Sequence, residues 1–105
     1  MSNQKRAWLL QGYDGLTPLF RQRLSAALSE KEMRALLQRL ASRHLSSNEV
    51  ISASLRKPMK GYTPALEVKQ EPRNRIILSC GENPHYIASL HTEYEFAHDD
   101  LLEEP

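Results

Sequence analysis

The sequence predicts one α+β domain over residues 1–97: a short N-terminal strand, two to three helices, then a three-stranded antiparallel meander with the helices on one face of the sheet. Three observations carry this expectation. The chain has 105 residues and average apolar and charged fractions, enough for one hydrophobic core and no more. Between residues 18 and 57 apolar side chains recur at helical spacing behind serine caps, whereas from Leu66 onward they alternate with charged ones. Finally, Cys80 is the single cysteine, so no internal disulfide is available and a reducing, cytoplasmic setting is expected.

Ala7-Trp8-Leu9-Leu10-Gln11 reads as a short strand closed by Gly12-Tyr13-Asp14-Gly15, a turn in which glycine tolerates positive φ and Asp bonds its own backbone. Lys5 and Arg6 precede an apolar stretch too short for a secretory leader, and no apolar run approaches the ~18 residues of a membrane span. Thr17-Pro18 supplies a cap and a first-turn proline, and Phe20, Leu24, Ala27 and Leu28 follow at i, i+4, i+7, i+8, predicting a helix over 18–28. Ser29-Glu30-Lys31-Glu32 is a capping box, opening a helix with Met33, Leu36, Leu37, Leu40 and His44 on one stripe. On that stripe His44 reads as a partly buried structural histidine. Ser46-Ser47-Asn48-Glu49 repeats the box and predicts a third helix carrying Val50, Ile51 and Leu55, ended by Pro58.

Leu66-Glu67-Val68-Lys69 then alternates as a half-buried strand should, and Arg75–Cys80 and His85–His91 supply two more strands. Tyr94 and Phe96 prolong the last, and residues 98–105 form an acidic tail. The expected core is Trp8, Leu10, Phe20, Leu24, Met33, Leu36, Leu37, Leu40, Ile51, Leu55, Val68, Ile76, Leu78, Ile87 and Leu90.

Near-neutral net charge conceals a division. Residues 1–60 hold eleven Lys and Arg against four acids, a net +7, whereas residues 61–105 hold three against nine, a net −6. Such polarity points to polyanion contact at the basic end, or to the two ends meeting within the fold or between copies.

Leu40-Ala41-Ser42-Arg43-His44-Leu45-Ser46-Ser47-Asn48-Glu49-Val50-Ile51 resembles a DNA-binding helix-turn-helix, with small Ala41 at the crossing and Ile51 six residues beyond Leu45, which stands where that family usually has glycine. Asn48-Glu49-Val50-Ile51 and Leu55-Arg56 also resemble the second helix of ribbon-helix-helix repressors. That family carries a base-reading strand before its first helix, where this sequence reads as helix. Either resemblance covers under a third of the chain and implies a small nucleic-acid-binding regulatory or accessory protein, a dimer contacting DNA or RNA. The residues it singles out are Arg39, Arg43, Arg56, Lys57 and Lys60 for phosphates, and Ser47, Asn48 and Ser52 for backbone or base edges. Glu49 opposes the phosphates unless its capping role turns it back.

The alternative is a non-enzymatic protein-interaction module, using an edge strand or the charge polarity for a second copy or another partner. A third reading rests on element order, which is similar to that of small messenger-RNA-cleaving toxins of the RelE type. It would draft Arg73, Arg75, His85, Tyr86 and His91, although the acidic sheet half would repel RNA. No catalytic, metal or cofactor site is expected: His85 and His91 share a strand face but sit about 20 Å apart, and the sequence has no phosphate-cradling glycine loop or paired-cysteine motif.

Overall fold

Asp14-Gly15-Leu16-Thr17 decides the architecture. Gly15 takes φ 62° and, with Leu16, makes a two-residue connection, so the chain reverses into a hairpin of β1 (Arg6–Asp14) and β2 (Thr17–Ser25). The computed structural model describes residues 5–98. After the hairpin come α1 (Glu30–Ser42), α2 (Ser47–Ser54), β3 (Lys69–Gln70), β4 (Ile77–Cys80), β5 (His85–Thr92) and α3 (Glu93–His98). The strands form one five-stranded sheet in the order β2-β1-β5-β4-β3, antiparallel at every pairing.

Alternation along the strands assigns the two faces. Trp8 and Leu10 of β1, Leu78 and Cys80 of β4, and Tyr86 and Ala88 of β5 are buried on one face, against Met33, Leu37 and Ala41 of α1. Those three helix residues recur every fourth position, the spacing that aligns side chains along one helical face. Gly12 lies in the row with Phe20 and Tyr86. A methyl group there would stand 2.7 Å from the Phe20 ring and 3.0 Å from the Tyr86 ring, so the two aromatics close over a position that only glycine leaves open. Trp8 Nε1 donates to the Leu28 carbonyl at 2.9 Å, tying the β2–α1 connection to the central strand. At the β4–β5 turn Gly81 takes φ 88°, and a Cβ there would meet the Pro84 carbonyl oxygen at 2.8 Å.

The opposite face is capped at one end by α3. Thr92 and Glu95 form a reciprocal cap: the Glu95 amide donates to Thr92 Oγ1 at 3.2 Å and the Thr92 amide to Glu95 Oε1 at 2.9 Å. Arg23 of β2 pairs with Glu93 and lies 4.4 Å from the Phe96 ring centroid. Phe96 in turn meets His91 edge-on at 5.8 Å.

This corrects the predicted fold class. The order is strand, strand, helix, helix, three strands, helix, rather than one strand followed by two or three helices and a meander. Residues 18–28 are mostly strand: Phe20 and Leu24, four apart, share a face in a strand as they do in a helix, and Pro18 is tolerated because β2 is an edge strand. Of Leu66–Lys69 only Lys69 is in a strand, while Leu66 and Val68 pack against the core from an irregular segment. Tyr94 and Phe96 lie in α3 rather than prolonging β5, and His98 belongs to that helix; the rest of the acidic tail lies outside the described residues. Ile51, expected in the core, is 60% exposed. Among the described residues no helix is long and apolar enough to cross a membrane.

Candidate nucleic-acid interface

The helix pair singled out by the sequence is built by two caps. Ser29 Oγ accepts from the Glu32 amide at 3.0 Å while Glu32 accepts from the Ser29 amide at 2.9 Å. Ser46 and Glu49 repeat this at 3.2 and 2.9 Å. Both carboxyls are held below the ordinary carboxylate range by these backbone and hydroxyl donors. Glu49, the one acidic residue between Arg39 and Lys60 in the sequence, is therefore turned onto the start of its own helix. Between the helices the chain turns tightly, with the His44 amide donating to the Ala41 carbonyl at 3.2 Å and the Leu45 amide to that of Ser42 at 3.1 Å.

Arg39 and Arg43 lie one turn apart at the C-terminal end of α1, Arg43 being its cap residue. Ser47 and Asn48 occupy the first turn of α2, both exposed. Ser52 is half-buried, and its carbonyl accepts from the amides of Leu55 and Thr63 at 3.4 and 3.3 Å, docking the 55–63 segment onto the helix. Arg56 and Lys60 are exposed in the turns beyond α2. Among the described residues, Arg39, Arg43, Arg56 and Lys60 make no ion pair, whereas Lys57 reaches Glu67 at 3.4 Å. Glu67 also accepts from the Tyr62 hydroxyl at 2.9 Å. That bond and the Lys57 ammonium lower its pKa, while the same carboxylate raises that of Tyr62.

Three features escaped the sequence reading. Tyr86, buried in β5, receives Arg43 at 3.4 Å on its hydroxyl and bonds His44 Nε2 at 2.6 Å, pinning the end of α1 to the sheet. His44 is thus an exposed residue that stacks its ring on Tyr86 at 5.9 Å, not a partly buried one. A groove of about 500 Å³ runs between α1 and the 55–68 segment, and Lys31, Arg34 and Lys57 contribute to its wall. A second cleft, about 540 Å³, opens between the end of α1, residues 63–69 and the β4–β5 turn, with His44, Glu67, Lys69 and Cys80 in its lining. Burial pushes the Cys80 thiol up, away from the reactive thiolate.

The geometry departs from the motifs it resembles. In a helix-turn-helix the second helix packs on the first, but α2 buries no residue. The strand that ribbon-helix-helix proteins place before their first helix is present as β2, here paired with β1 of the same chain. The residues drafted for a toxin-like sheet are dispersed: Tyr86 faces α1, His85 and His91 face the other way, and Arg73 pairs with Glu71 at 2.8 Å. Arg75 joins Glu95 and His91, whose Nε2 meets Ser89 Oγ at 2.7 Å. This network braces α3 against β5. Among the described residues no three His, Cys, Asp or Glu are grouped to hold a metal ion. No protein-family model, no curated protein and no solved structure matches the chain.

Proposed function

We propose that the protein is a small nucleic-acid-binding regulatory or accessory protein, working as a dimer in the reducing cytoplasm, with the basic surface of α1 and α2 as its contact. The observation that supports this reading most directly is electrostatic. Arg39, Arg43, Arg56 and Lys60 are without ion pairs among the described residues, while Glu49 is folded back into a cap. Such cations would neutralise phosphates and release counterions. Ser47, Asn48 and the free amides of the first turn of α2 would add hydrogen bonds to the backbone. Lys57, already paired, would contribute less.

The test is binding of the full chain to random duplex DNA and to RNA over a salt series, beside its mass in solution. Affinity should fall steeply with salt, and Arg43→Ala or Arg56→Ala should each flatten the log–log slope by about one unit. Absence of binding at low salt would sink the proposal. A second reading, a protein-interaction module, is favoured by the exposure of Ile51 and Met59 on and beyond α2. A stable complex or oligomer that Ile51→Lys dissolves would support it.

A further inference from the structure

The acidic half of the sequence was expected to repel RNA, yet two of the five strands, β1 and β2, come from the basic half. Register reverses that expectation. One row of cross-strand neighbours spans all five strands: Arg21, Gln11, Ile87, Ser79 and Lys69. It has a cation at each end and, at four inter-strand spacings, is about 19 Å long. No strand residue on this face is a carboxylate; Glu93 and Glu95 of α3 pair with Arg23 and Arg75, and Glu67, which lies near enough to Lys69 to interact with it, is held by the Tyr62 hydroxyl and Lys57.

Next to the row, Tyr13 and His85 are direct partners whose rings stack at 5.5 Å with 18° between their planes. The Tyr13 hydroxyl donates to Gln11 Oε1 at 2.8 Å, which fixes the carboxamide and leaves its NH2 as a donor. Both residues are half-buried, and α3 sits at the other end of the face, over His91. An aromatic pair on an antiparallel sheet, flanked by cations and hydrogen-bonding side chains, with the neighbouring Glu67, Glu93 and Glu95 each bonded to a partner, matches what unstacked bases and their phosphates require. A duplex would present its bases edge-on inside grooves and could not use the ring faces.

We propose that this face binds single-stranded nucleic acid, about four nucleotides across the row, with bases stacking on Tyr13 and His85. It is a site separate from the helical surface and does not depend on it. The test measures fluorescence anisotropy of the full chain with a fluorescein-labelled twelve-nucleotide oligo-U and oligo-dT, and with a duplex, at low and moderate salt. Single strands should bind. Tyr13→Ala and Lys69→Glu, each checked for folding by circular dichroism, should weaken them by about tenfold or more while leaving duplex binding unchanged. Tyr13→Phe, which keeps the ring, should retain the affinity. Because Lys69 is exposed at the sheet edge, its variant keeps the test open if Tyr13→Ala does not fold. No binding of either oligonucleotide at low salt would overturn the proposal. So would single-strand binding that survives Tyr13→Ala and Lys69→Glu but is lost in Arg39→Ala/Arg56→Ala, since that pattern assigns the strand to the helices. Loss of duplex binding alone would count against the helical surface and leave this face standing.

Discussion

Leu37 and Ile51 both stand on predicted apolar stripes, yet the structure separates them: Leu37 is fully buried and Ile51 is 60% exposed. Truncating each to alanine measures that difference. Leu37→Ala removes three buried carbons, about 2.4 kcal/mol of transfer free energy, and the cavity left between α1 and the sheet brings the cost to about 3 kcal/mol. For a domain of this size that lowers Tm by about 12–20 °C. Ile51→Ala removes the same number of carbons from a site with two fifths of its surface covered, about 1 kcal/mol. The better helix propensity of alanine returns about 0.4 kcal/mol, leaving roughly 0.5 kcal/mol. Urea unfolding followed by the fluorescence of Trp8, the sole and buried tryptophan, reads both. If Ile51→Ala cost as much as Leu37→Ala, α2 would be packed as the second helix of a helix-turn-helix, and the reasoning from its exposure would fail.

Ser46→Ala removes the hydroxyl cap of α2 and should cost about 1 kcal/mol in urea unfolding, and an unchanged stability would refute the cap; because the Ser46 amide, the larger support of the Glu49 carboxylate, is retained, Glu49 should stay below its ordinary pKa by NMR titration. Glu95 is held down to about 2, first by the Arg75 guanidinium and then by the Thr92 amide. Because its folded pKa is depressed, the stability it contributes is complete above pH 4.5 and disappears as pH falls toward 2. The gap between wild type and Glu95→Gln should therefore close over that window, and a constant gap would contradict the assignment. Gly12→Ala forces a methyl group against Phe20 and Tyr86 and should destabilise by about 1–3 kcal/mol, read by thermal unfolding; a neutral result would show that the aromatics yield freely. Cys80 should resist a thiol reagent until urea unfolds the chain, and rapid native labelling would refute its burial.

Local signals were legible where one residue's chemistry decides the backbone. The capping boxes at Ser29 and Ser46 are such cases, because the bonds that form them span three residues. The same Thr-x-x-Glu signature stood at Thr92 and Glu95, and reading it would have replaced the expected strand through Tyr94 and Phe96 with α3. Residues 18–28 were not legible in this way. Phe20 and Leu24 satisfy both periods, and Thr17-Pro18 can open a helix or an edge strand. What decides the matter is the Asp14–Thr17 hairpin, which brings β2 beside β1.

The candidate sites divide similarly. Arg39, Arg43, Arg56 and Lys60 stand out as cations by identity alone, and the sequence foresaw that Glu49 could be turned aside by its cap. Which cations are paired depends on partners far along the chain, as with Lys57 and Glu67 or Arg23 and Glu93. The row from Arg21 to Lys69 exists only through strand register, which joins residues almost fifty positions apart. By itself, then, the sequence determined the starts of α1 and α2, the burial of Trp8, Leu10, Met33, Leu37 and Leu78, and the basic-to-acidic polarity, all properties of near neighbours or of composition. Tertiary structure alone decided the five-stranded order, the exposure of Ile51 and the absence of carboxylates from the strand residues of one sheet face, because long-range hydrogen-bond pairing chooses which side of a strand each charge occupies.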